Sequence, residues 1–150
     1  MRFRELELEQ IDVALQVWRE AHLPARPSGG WSVAIRNALG MTATALARRL
    51  FMTSAGVRKL EKAEAQYAIT LASLRKLAEA LDCELQYAFV PRTSLRRQLQ
   101  NRALQVATTQ LHPVSHSMSL EDQSVQGSAR DVQRELLVQE LLAGPRRNLW

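Results

Sequence analysis

The sequence predicts a mainly α fold with one short β-strand, and three observations lead there. Apolar residues recur at three- and four-residue intervals over most of the 150 positions. Threonine or serine precedes several of those runs, where a hydroxyl can accept the free backbone N–H groups of a helix start. One stretch, Glu84 to Val90, has instead the two-residue alternation of a strand.

Taken in order, Arg4 to Ala21 reads as a helix, with Leu8, Ile11, Leu15 and Trp18 on one side. Glu5, Glu7 and Glu9 lie near its start, where the helix dipole favours acid. To Leu23 the segment holds five acids and three bases, a net of −2, and it is expected to pack on the core that follows, with Trp18 inside. Pro24 to Gly30, PARPSGG, is turn chemistry. Its glycine pair lacks the lysine and hydroxyl residue of a phosphate loop, so it is read as a connection. Trp31 to Leu39 then forms a first core helix, with Trp31, Ile35 and Leu39 a turn apart and Gly40 as its C-terminal cap.

The stretch from Met41 to Glu64 organises the rest. Thr42 caps a short helix with Leu46 and Leu50 one turn apart, and Ala43 and Ala47 beside them. Phe51 to Thr53 interrupts it. A second helix from about Ser54 to Lys62 turns Val57 and Leu60 inward and offers Ser54, Ala55, Arg58 and Lys59 on its other side. Two short helices so connected form a helix-turn-helix. Between Trp31 and Lys62 the bases Arg36, Arg48, Arg49, Arg58, Lys59 and Lys62 face only Glu61, an excess of +5 suited to a phosphate backbone.

Thr70 caps a further helix with Leu71, Leu74, Leu77, Ala78 and Leu81 along one stripe. The strand from Glu84 to Val90 follows, ended by Pro91. Its ladder partner would lie within the chain, in a second copy or in another protein, and a homodimer is the reading favoured here. Ser94 to about Gln110 returns to helix, and Arg92, Arg96, Arg97 and Arg102 either extend a DNA contact or form a solvated face. Pro113 is expected to break the helix, with Val114 to Gln126 and Ala129 to Leu142 following on either side of Gly127. RRNLW reads as a loose tail. The expected division is therefore 1–30, an N-terminal helix and loop; 31–91, a DNA-binding domain with a short strand; and 92–150, a helical partner-binding region.

Composition bounds the function. Hydrophobic residues make up 46% and charged residues 23%, values of an ordinary globular chain. Twenty bases against fifteen acids give +5 and favour a polyanionic partner. No apolar run approaches the roughly 20 residues of a membrane span, and the N-terminus lacks a signal peptide's apolar centre, so a cytoplasmic protein is expected. The single Cys83 excludes an internal disulfide and is read as a buried small hydrophobe. His112 and His116 flank Pro113 without cysteine support for zinc. Neither a nucleophile motif nor a Gly-rich nucleotide loop is present, so no enzyme, cofactor or metal is expected.

Leu46, Ala47 and Leu50 form an LA..L pattern, and Val57, Leu60 and Glu61 a V..LE pattern, with Val57 ten residues after Ala47. In these the core resembles the Xre/Cro/lambda-repressor class of helix-turn-helix proteins, which implies a lambda-repressor-like fold. By position, the resemblance makes Ser54, Ala55, Arg58 and Lys59 base readers and sets Thr42, Ala43 and Lys62 nearer the DNA backbone. Arg58 is the first choice for guanine, whose two major-groove acceptors match a guanidinium fork. Phe51 stands where that class usually has glycine, so a left-handed turn residue is not expected there.

Over most of its length, in LEQID, PSGGW, LEKAEA, ITLASLRKLAEALDCELQYAFVPR and HSMSLEDQ, the chain resembles the bacterial mobile mystery protein A family. Members of that family are typically encoded beside a protein with a Fic domain, which transfers AMP to hydroxyl side chains. The resemblance implies an antitoxin-like DNA-binding protein that inhibits a Fic-domain AMP transferase and autoregulates its operon. Ser117 and Glu121 match the S/T-x-x-x-E part of the inhibitory helix in such antitoxins, and Asp122 departs from the residue that usually follows. The alternative is a stand-alone dimeric Xre-type repressor.

Overall fold

The structure, a computed structural model, describes residues 2–118 and 126–150. Helices account for the regular structure there: α1 (Arg2–Glu20), α2 (Trp31–Ala38), α3 (Ala43–Arg49), α4 (Ser54–Ala65), α5 (Leu71–Ala80), α6 (Leu95–Met118), α7 (Gln126–Ala143) and a 3-10 turn, Arg146–Leu149. They fall into two compact units, His22–Ala88 and the combination of Met1–Ala21 with Phe89–Trp150.

In the first unit, α2 to α5 enclose a core of Ala43, Leu46, Ala47, Val57, Leu77 and Leu81. Three of its helix starts use one device. Thr42, Thr53 and Thr70 each take extended backbone and accept, at 3.1 Å, the N–H three residues on, from Ala45, Gly56 and Ser73.

The helix ends share a device too. After α2, α3, α4 and α5 the chain passes through one left-handed residue, Gly40, Phe51, Tyr67 and Asp82 respectively, with φ of 65°, 53°, 57° and 55°. In each case the next N–H closes back five residues: Met41 to Arg36, Met52 to Ala47, Ala68 to Ala63 and Cys83 to Ala78, at 2.8–3.0 Å. Phe51 therefore does adopt the left-handed conformation that the lack of glycine argued against. The two closing hydrogen bonds, Met52 N–H to Ala47 and Phe51 N–H to Arg48, hold it there.

No strand forms among the described residues, and Glu84 to Val90 is irregular backbone rather than the expected β-strand. Alternation supplies a strand's faces, but a strand exists only when its N–H and C=O groups meet a neighbour. Here none of them does.

In the second unit, α6 and α7 pack around Ala103, Ala107, Val138 and Leu149. Two alanines four apart on α6 let the partner backbone come close. The helix α1 packs on α6, and along it Leu8, Leu15 and Trp18 are half-buried while Ile11 stays exposed. Asp12 fixes the contact: its carboxylate accepts the N–H groups of Leu95 at 2.6 Å and Arg96 at 3.0 Å, capping α6 from more than eighty residues away. Three further expectations are corrected. Proline does not end α6 at 113, because it removes one hydrogen bond from a 24-residue helix that continues to Met118. Gly127 lies inside α7. The C-terminal residues are no loose tail, since Leu149 is 1% exposed and its carbonyl accepts from the Arg102 guanidinium.

Candidate nucleic-acid interface

The charged face is built on α4. Helical spacing puts Ser54, Ala55, Arg58, Lys59 and Lys62 on one side, and Val57, Leu60, Glu61 and Glu64 on the other. On the outer side Ala55, Arg58, Lys59 and Lys62 are exposed, and Ser54, in the first helical position, is half-buried. Arg48, Arg58, Lys59 and Lys62 form no ion pair among the described residues. They are cations without a protein counterion, the arrangement that a phosphate backbone completes. Thr42 is exposed, with its hydroxyl engaged as the α3 cap. Ala43, expected near the DNA backbone, has its side chain buried beside Leu46 in the core.

The inner side sets the angle at which that face is held. Glu61 takes a two-pronged contact from Arg36, Nε at 2.5 Å and Nη2 at 3.1 Å, while Arg36 Nη1 donates to the Met41 carbonyl at 3.0 Å. The hydrogen bond from Glu61 raises the Arg36 pKa above its ordinary value, against the opposing effect of burial. Arg36, counted among the DNA-facing charges by sequence alone, is thus spent inside the domain.

One turn on, Glu64 accepts from the Trp31 N–H at 2.8 Å, the Ser32 N–H at 3.1 Å and the Ser32 hydroxyl. Two acids of α4 therefore grip α2 near its two ends. Gly30 makes room for the second grip: its φ is 90°, and a Cβ there would lie 2.7 Å from the Glu64 carboxylate. The far end of α4 is capped by Arg26, which donates to the carbonyls of Glu64 at 3.3 Å and Ala65 at 3.0 Å and stacks over the Tyr67 ring at 3.7 Å. Arg49 similarly donates to the Ala80 carbonyl at the end of α5, at 3.0 Å.

Sequence reasoning missed Gly30, Arg26 and Glu64. A readable signal existed for the last, since Glu61 and Glu64 share the helical face of Val57, and carboxylates on an apolar face must find donors when buried. Nothing local marked Arg26, whose partners lie 38 and 39 residues away.

In the other unit, Arg96 pairs with Glu5 at 3.3 Å and Glu9 at 2.9 Å, and Arg102 turns to Leu149 and the Trp150 ring. Arg92 and Arg97 remain exposed. The expected inhibitory pair falls largely outside the described residues. Ser117 belongs to α6 by its backbone, its side chain and all of Glu121 lying outside the described residues. Among the described residues no cluster of metal-ligating side chains occurs, and no helix is long and apolar enough to cross a membrane.

A left-handed turn between two capped helices, with an exposed basic face on the second, defines a helix-turn-helix of the DNA-binding class. Residues 34–87 match the helix-turn-helix family model, which suggests a DNA-binding transcription regulator. Comparison with curated proteins and with solved structures gave no match.

Proposed function

We propose that the protein represses its own operon as a dimer, inserting α4 into the major groove. The observation that supports this most is the exposed, unpaired cationic side of α4, with Arg58 and Lys59 flanked by Ser54, Ala55 and Lys62. Arg58 reads guanine, while Lys62 and the Thr42 end of α3 meet phosphates. A gel-shift on the DNA upstream of its own gene tests this. Arg58→Ala should weaken the specific complex by about 1–3 kcal/mol, and Lys62→Ala should weaken all sequences alike and reduce the salt slope by about 1. Absence of any complex at low salt would sink the reading.

The same protein acts as an antitoxin-like inhibitor of a Fic-domain AMP transferase through its C-terminal helices. The match of Ser117 and Glu121 to the inhibitory motif supports this, as does the wider family resemblance. Residues four apart share one helical face and can enter a single cleft together. In that cleft Glu121 would pair with an arginine that otherwise holds the ATP γ-phosphate. Co-expression of Glu121→Gly with the neighbouring Fic protein should release AMP transfer. Complete suppression by that variant would remove Glu121 from the mechanism and leave the stand-alone repressor.

A further inference from the structure

The segment from Glu84 to Val90 has strand-like alternation but no ladder partner. None of its backbone groups bonds to another backbone group. Two of its three large side chains on the alternating face are also uncovered, Tyr87 63% exposed and Phe89 90% exposed, while Leu85 is half-buried. A row of free N–H and C=O groups beside exposed aromatics is a template for another extended segment.

The residues point to a copy of the same segment as that partner. Antiparallel pairing about a two-fold axis at Tyr87 sets Leu85 opposite Phe89 and Tyr87 opposite its own counterpart, so all six large side chains share one face. A one-residue slip would set apolar residues against the other face, which excludes the odd registers. Centring on Tyr87 also leaves Pro91, which has no N–H to give, just outside the paired residues. Charge agrees as well. Asp82 and Glu84 stand at the head of the segment and Arg92 just beyond its tail, so an antiparallel second copy brings acid to base at both ends.

We propose that residues 84–90 pair with the same residues of a second copy, forming a two-stranded antiparallel ribbon centred on Tyr87. The inference deepens the dimeric reading above and rests on it only for the existence of a dimer. Each copy supplies the strand that the other lacks, and the two DNA-reading helices are delivered together, as a two-fold operator requires.

Light scattering and sedimentation of the full chain test the pairing. The wild type should have twice the 16.9 kDa chain mass. Tyr87→Asp, which would set two carboxylates against each other, should return it to a monomer with unchanged helical circular dichroism. A register test uses Cys83→Ala throughout. With Tyr87→Cys added, mild oxidation should yield a disulfide-linked dimer, because opposed residues lie within disulfide reach. With Gln86→Cys instead, it should yield little, since Gln86 faces Ala88 rather than itself. A dimer that survives Tyr87→Asp and does not cross-link through residue 87 overturns the ribbon and leaves the dimeric reading standing. A wild type that stays monomeric overturns both, and a gel-shift on that monomer still decides DNA binding separately.

Discussion

At Phe51 the backbone and the side chain pull in different directions. A left-handed residue with a Cβ costs about 1–2 kcal/mol, and the Phe51 ring, 97% exposed, returns little by burial. The Phe51→Gly variant should therefore be more stable by about 1 kcal/mol in chemical denaturation, with its closing hydrogen bonds kept. Glu64 is the opposite case, a single side chain with three donors. Its replacement by alanine strands those donors and should cost about 2–4 kcal/mol on the same measurement. The Thr42 and Thr70 caps were legible because a cap lies within three residues of its helix, while Thr53, read as part of the interruption, turned out to be a third. The left-handed turn at Phe51 was not, since the bonds that force it are made by the backbone, and the side chain argues against it.

At the scale of elements, α4 carries both the exposed cationic face and the clamp on α2, and one spacing gives both. Arg36→Met removes no exposed charge, yet it leaves the Glu61 carboxylate, 9% exposed, without its partner. We expect a loss of about 3–5 kcal/mol in stability, with a weaker gel-shift that Arg36→Met combined with Glu61→Leu largely restores. Most helices were visible in the apolar periodicity within a few residues at their ends, because that pattern is local. By contrast, α6 runs to Met118, well past the expected Gln110, and the 3-10 turn lay in what read as a tail. Two features were hidden for a shared reason: the docking of Leu149 and the missing ladder at 84–90 both depend on what a distant segment supplies or withholds.

For the whole molecule, the two units have separate cores, which predicts separable defects. Leu46→Ala should abolish the gel-shift, as it opens a cavity beneath the helix-turn-helix. Leu149→Ala should lower the stability of the other unit by about 2–4 kcal/mol while the isolated DNA affinity hardly changes. The net charge of +5 pointed to a polyanion at this scale, but Arg36, Arg96 and Arg102 are engaged within the protein. Charge counting thus overstated how many of these cations stand free of the protein's own acceptors.

The Asp12 cap has a consequence for synthesis. Asp12 and the α6 N–H groups it satisfies are separated by 83 and 84 positions. At roughly 5–20 residues per second, α1 leaves the ribosome several seconds before its partner helix is made. The uninterrupted stretch His22–Ala88 can close its core during that interval. A nascent chain arrested before α6 should thus already protect the helix-turn-helix from protease, while α1 is still waiting.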